Sequence, residues 1–93
     1  MNKYPFAMSN IVREKLVDVT THDYVDEDGF FVRCGGEGTL VYVPVGNEDD
    51  EEITKEVQAT PYFDDPVMVK RIVAPKLAQT KTTATLVHVG YGV

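Results

Sequence analysis

The sequence has little cysteine and little serine, and both shortages limit the chemistry open to it. Cys34 is the only cysteine among the 93 residues, so an internal disulfide and a zinc cluster of several cysteines are excluded. A single cysteine is consistent with assembly in a reducing cytosol. Ser9 is the only serine, and no nucleophile motif accompanies it, so we expect no serine-hydrolase chemistry.

Basic residues and long apolar runs are also scarce. The chain carries 9 Lys and Arg against 15 Asp and Glu, a net charge of −6, which argues against a nucleic-acid partner and suits docking on a basic surface. No apolar run approaches the length of a membrane span, so we expect no membrane partner. The start, "MNKYPFAMSN", lacks the apolar centre of a signal peptide. We expect the protein to be made in the cytoplasm and to leave it only as part of a particle.

The length predicts one small domain with an N-terminal arm. Ninety-three residues, 43% hydrophobic and 26% charged, form a globular domain with a modest core, which neighbouring subunits would help to stabilise. We expect a homo-oligomer, with residues 1–14 as the arm and 15–93 as a single β domain. Tyr4, Phe6 and Met8 alternate in the arm, which would let it lie on a neighbour; the alternative is a frayed terminus.

Short apolar runs separated by turn signals predict an all-β protein. We expect a small β-sandwich or barrel of about six short antiparallel strands. Residues 11–19 fit either a short helical stripe or a strand, and we favour a strand over 15–20. The other strands are predicted over 30–34, 39–43, 53–60, 67–74 and 82–92.

Three glycines, Gly35, Gly36 and Gly38, separate two apolar runs. A phosphate-binding Walker loop would need a lysine after them, and a dinucleotide fingerprint would need a further glycine at Val41 and then a helix. Neither follows, and Glu37 would face the phosphate with a negative charge. The glycines therefore predict the tip of a β-hairpin, with a positive φ at Gly36 or Gly38.

Acidic residues are concentrated in two loops. Asp23, Asp26 and Asp28 suggest calcium ligands, but the spacing around Gly29 does not fit an EF-hand loop. A looser calcium site with these three aspartates as ligands gives the alternative function, a calcium- or carbohydrate-binding β module. The second loop, residues 46–52, keeps the molecule soluble or docks on a basic partner.

Two further groups of residues could form sites. Cys34 and His88 could form a nucleophile and base, but a small buried cysteine fits the strand context better. Phe30 and Phe31 are consecutive, so one must point away from the core, towards a second layer or another subunit. No catalytic, metal or cofactor residues are predicted. The predicted partner-binding residues are Tyr4, Phe6, Met8, Phe31, Glu48, Asp49, Asp50, Glu51 and Glu52.

Four segments, in this order, resemble the small spike-base proteins of gene transfer agents and tailed-phage virions. These are "VDVTTHD" (17–23), "GFFVRCGGEGTLVYVP" (29–44), "VMVKRIVA" (67–74) and "TTATLVHVGYG" (82–92). Arg71 and Ile72 stand where that family has an Arg-Val pair. The segment "GNEDDEEITKEV" is longer and more acidic than the family's second hairpin, and the first ten residues have no counterpart.

The resemblance implies a non-enzymatic structural protein of a phage-like particle. It would be a head decoration, cement or spike-base subunit without cofactors, located in the virion after assembly in the host cytoplasm. Its partners would be capsid or spike proteins and further copies of itself, with a trimer as the family-level expectation. Many weak contacts would add through multivalency.

Overall fold

The computed structural model describes residues 11–63, 65–76 and 81–92, and these form an all-β fold. All strand pairs are antiparallel, in the order β1-β6-β2-β5-β3-β4. The predicted all-β class with about six strands is confirmed. The strands are β1 (Ile11–Leu16), β2 (Tyr24–Cys34), β3 (Gly38–Pro44), β4 (Ile53–Val57), β5 (Val69–Ile72) and β6 (Val87–Gly92).

Strand β2 is shared between the two halves of the sheet. Its first half pairs with β5 as far as Phe30, and its second half, from Phe31, pairs with β6. Gly29 lies just before this change with φ +94°, and a Cβ there would stand 2.7 Å from Met68 Cγ. A β-carbon would therefore be both strained and crowded at this irregular point of the ladder.

The two faces of β2 are both covered. Phe30 is 1% exposed and packs in the main core with Ile72 and Val89. Phe31 points the other way, is 7% exposed, and packs with Phe63 and Ile11. The predicted opposite orientation of the two phenylalanines is confirmed, and the second layer is supplied by the chain itself. Each such buried side chain contributes about 1.5–3 kcal/mol.

Strand β1 begins earlier than predicted. It runs from Ile11 to Leu16 instead of over 15–20, so residues 11–14, expected at the end of the arm, lie in the sheet. Charged residues obscured it in the sequence. The guanidinium of Arg13 lies 4.6 Å from the ring centre of Tyr91, and Lys15 Nζ lies 5.1 Å from that of Tyr24. Cationic side chains of this largely exposed strand thus cover aromatic rings that belong to β6 and β2.

Three other predicted strands are shorter in the structure, at 53–57, 69–72 and 87–92. The threonine-rich segment before β6 does not continue the ladder, and it contacts β3 through both backbone amides and side chains. The buried Thr82 hydroxyl accepts from Val41 N at 3.0 Å and donates to Val41 O at 3.2 Å. Thr82 therefore satisfies backbone groups that a neighbouring strand would otherwise pair.

Candidate functional site

The glycine segment does not form the predicted hairpin, because β5 lies between β2 and β3. Instead, Gly35 N donates to Leu86 O at 2.8 Å and Gly36 N donates to Thr85 O at 2.9 Å. These amides are therefore engaged within the chain. The predicted positive φ is confirmed at Gly38, at +149°. The glycines allow the connection to lie directly against the backbone of residues 83–86.

Leu86 has an unusual backbone and an exposed side chain. Its φ is +51°, the one positive φ of a residue other than glycine in the described part of the chain. Its carbonyl accepts from Gly35 N and lies 2.9 Å from His88 Nδ1, so neighbouring contacts hold this conformation. Such a conformation costs about 1–3 kcal/mol, and strain of this kind concentrates at functional sites. Here it presents an apolar side chain that is 56% exposed.

Leu86 faces a groove that begins at the end of β1. Leu16, the last residue of β1, is 59% exposed and lines the same groove, whose volume is about 510 Å³. Asp18 and several threonines contribute polar atoms at this site. We call it the Leu16–Leu86 groove; its apolar lining among the described residues is Leu16, Val17, Val19, Pro75, Ala84, Leu86 and Val87.

A smaller cavity of about 250 Å³ lies beside β2, β3 and β4. Cys34, Leu40 and Tyr42 are among its lining residues, together with an ion pair between Lys55 and Asp65. Burial raises the pKa of Asp65, but the hydrogen bonds from Lys55 and from Val67 N, with the lysine charge, outweigh it and lower that pKa. The cavity thus combines apolar walls with a paired charge.

Cys34 has the features of a buried structural cysteine. Its side chain is 3% exposed, and burial raises the pKa of the thiol, which disfavours the nucleophilic thiolate. His88 lies opposite Arg33, the neighbour of Cys34, so Cys34 and His88 point to opposite faces of the sheet. The structure therefore does not bring this pair together.

Two of the three suggested calcium ligands, Asp23 and Asp26, have other partners. The Asp23 carboxylate accepts from Ala74 N at 2.8 Å and lies within 3.5 Å of Arg71 and Lys76. Asp26 accepts from the Tyr91 hydroxyl at 3.0 Å. Within residues 11–63, 65–76 and 81–92, no group of three or more His, Cys, Asp or Glu is placed to hold a metal ion. Asp23 instead stabilises the segment after β5.

The second acidic loop, residues 46–52, is largely exposed, and contacts within the chain hold it in place. Asp49 pairs with Lys70 at 3.1 Å, Glu52 pairs with Lys81 at 2.9 Å, and Glu51 accepts from the backbone N of Glu48. The Asp49 side chain remains 68% exposed. These contacts hold a cluster of negative charge at the surface, as docking on a basic partner requires.

The other predicted partner-binding residues divide into two groups. Tyr4, Phe6 and Met8 lie outside the described residues. Phe31 is buried beneath the chain's own Phe63 and offers little surface to a partner. Sequence reasoning missed the Leu16–Leu86 groove because a left-handed backbone is expected for glycine, asparagine or aspartate, and a leucine gives no such signal.

Comparison of the chain with protein-family models, with curated proteins and with solved structures gave no match. In the described ranges, no helix has the length and apolar character needed to cross a membrane.

Proposed function

We propose that this protein is a structural subunit of a tailed-phage-like virion, a capsid decoration, cement or spike-base protein. The order of the four sequence segments supports the class of particle. One structural observation supports a role in binding: the chain holds Leu86 in a strained conformation and exposes it beside a preformed apolar groove. A rigid, preorganised surface loses little entropy on binding.

The proposed mechanism is mechanical. The β core provides a stiff body, the Leu16–Leu86 groove provides an apolar contact, and the acidic loop at residues 48–52 provides a charged one. Each contact alone is small. Repetition over many copies on one particle raises the overall strength of attachment by orders of magnitude, because later contacts form at a high effective concentration.

The test is the composition of purified particles. Phage-like particles from the strain that encodes this chain are banded on a density gradient, and the chain is quantified by mass spectrometry. We expect a fixed number of copies per particle. In particles assembled with Leu86→Asn, we expect less of the chain, because the apolar contact is lost while asparagine tolerates the left-handed backbone.

A matched control separates the groove from general surface effects. Tyr62 is 60% exposed and does not line the groove, so Tyr62→Asn should leave incorporation unchanged. Absence of the wild-type chain from banded particles would refute the virion role. Equal incorporation of both variants would refute the part assigned to Leu86.

A further inference from the structure

We propose that the Leu16–Leu86 groove of one copy receives the N-terminal segment, residues 1–10, of a neighbouring copy. Tyr4, Phe6 and Met8 are the contacting side chains. This inference deepens the proposed function and rests on it for its biological setting, since it names the partner of the same groove. The association itself is a property of the purified chain.

The first argument is the state of the groove in a single copy. Leu16 and Leu86 are each more than half exposed, although both line the same groove, whose lining is partly apolar. The contacts of Gly35 and His88 with the Leu86 carbonyl fix Leu86 before any partner arrives. Apolar surface held open in this way favours an occupant that removes it from water.

The second argument is the direction of the chain. Strand β1 starts at Ile11 and ends at Leu16, so the described chain begins at the end of β1 that is remote from its own groove. Five residue steps along a strand separate the two ends by about 17 Å. Ten residues span at most about 33 Å when fully extended, which is long enough to reach a neighbouring copy. Reaching its own groove requires a full reversal, whereas a neighbour's groove does not.

The third argument is chemical complementarity. Residues 1–10 offer three large apolar side chains at alternate positions and one charge, Lys3. Among the described residues, the groove offers apolar side chains, several threonines and one carboxylate, Asp18. The segment is thus cationic, in a chain with a net charge of −6, and the groove holds the opposite charge beside its apolar lining. This match favours a second copy of the chain as the occupant.

The resulting contact is heterologous, because each copy gives one segment and accepts another. Such contacts close into a ring when the rotation between copies fits a whole number of subunits. The groove of every subunit in a closed ring is then filled. This arrangement gives a closed homo-oligomer held together by exchanged segments.

The experiment is cross-linking of the full-length chain with isotope-mixed subunits. A photoreactive benzoylphenylalanine replaces Phe6, and equal amounts of ¹⁴N- and ¹⁵N-labelled protein are mixed, irradiated and digested. We expect cross-links from position 6 to peptides containing Leu16 or Leu86. We expect heavy–light pairs among them at the level of random mixing, which identifies contacts between copies.

Variants make the result specific. Leu86→Asn should lower the yield of this cross-link roughly tenfold, equivalent to about 1.4 kcal/mol, while Tyr62→Asn should leave it unchanged. Circular dichroism confirms that both variants fold. Cross-links confined to same-isotope pairs would place the segment in its own groove and overturn the proposal. Cross-links to other surfaces, or an equal yield with Leu86→Asn, would also overturn it.

The outcome is independent of the particle assay. Heavy–light cross-links together with an absence of the chain from virions would retain the exchange of segments and refute the virion role. Incorporation into virions without heavy–light cross-links would do the reverse. Sedimentation of the purified protein as a monomer at every concentration tested would also refute the exchange between copies.

Discussion

Replacing Gly38 by alanine tests how the crossing from β2 to β3 is built. A Cβ at Gly38 would stand 2.7 Å from Ala84 N, 2.8 Å from Ala84 Cα and 3.0 Å from the carbonyl carbon of Thr83. All three are backbone atoms, and the amides of Thr83 and Ala84 both donate to Thr39 O, which holds them in place. The φ of +149° adds a conformational penalty for any residue with a β-carbon.

The expected loss of stability follows from these two terms. A backbone conformation of this kind costs about 1–3 kcal/mol, and forcing an atom into a packed site costs about 1–3 kcal/mol more. We therefore expect Gly38→Ala to lower the free energy of unfolding by about 2–6 kcal/mol. Small domains are stable by about 0.05–0.15 kcal/mol per residue, so the loss is a large share of the total.

Urea denaturation followed by circular dichroism measures the loss, and two other glycines calibrate it. Nothing lies within 4 Å of a Cβ at Gly46, so Gly46→Ala should leave the midpoint nearly unchanged. A Cβ at Gly36 would stand 1.9 Å from Thr85 Oγ1, a side-chain atom, so a further change of Thr85→Ala should partly rescue Gly36→Ala. A midpoint for Gly38→Ala equal to that for Gly46→Ala would refute this account of the crossing.

Three further predictions concern the loops and the arm. Replacing the carboxylates of residues 48–52 by amides should weaken binding to particles and flatten its salt dependence; unchanged binding at low salt would limit this loop to solubility. Deleting residues 1–9 should leave the melting temperature of the isolated domain, measured at a concentration where it is monomeric, nearly unchanged and should reduce incorporation into particles; a deleted chain that fails to fold would assign those residues to the core. The lowered pKa of Asp65 contributes stability that is present above its unfolded pKa, about 3.9, and is lost as pH falls through the folded pKa. Asp65→Asn and Lys55→Gln should therefore each flatten the acid limb of a plot of unfolding free energy against pH, and an unaltered acid limb would contradict the pairing.

Alternating apolar residues predicted much of the fold because β-sheets bury alternate side chains. The opposite orientations of Phe30 and Phe31 followed from this period of two, and so did the places of β3 and of the second half of β2. The first half of β2, from Tyr24, was expected to be a polar loop. The predicted position of β1 was wrong because its charged side chains lie over aromatic rings, and no local sequence pattern reveals those contacts. Long-range partners, and not local sequence, decided its position.

Pairing between strands was harder to predict than their existence. Two strands joined by a glycine-rich connection ordinarily form a hairpin, so β2 and β3 were expected to pair. The structure inserts β5 between them, and the glycines serve close packing against residues 83–86 instead. The groove was missed for a related reason. The Leu86 carbonyl is held by Gly35, which is far away in the sequence, and by His88, two residues later, and no local sequence pattern reveals either contact.

The pairing of β1 with β6 has a consequence for how the chain folds during synthesis. β1 is the first described strand to leave the ribosome, and its partner β6 is the last, with Ile11 opposite Gly92. At about 5–20 residues per second, β1 waits for several seconds as an unpaired edge. Arg13, Glu14 and Lys15 place charges along it during that interval, and charged edge strands resist pairing with other chains. The residues that obscured β1 in the sequence thus protect the nascent chain against aggregation until β6 arrives.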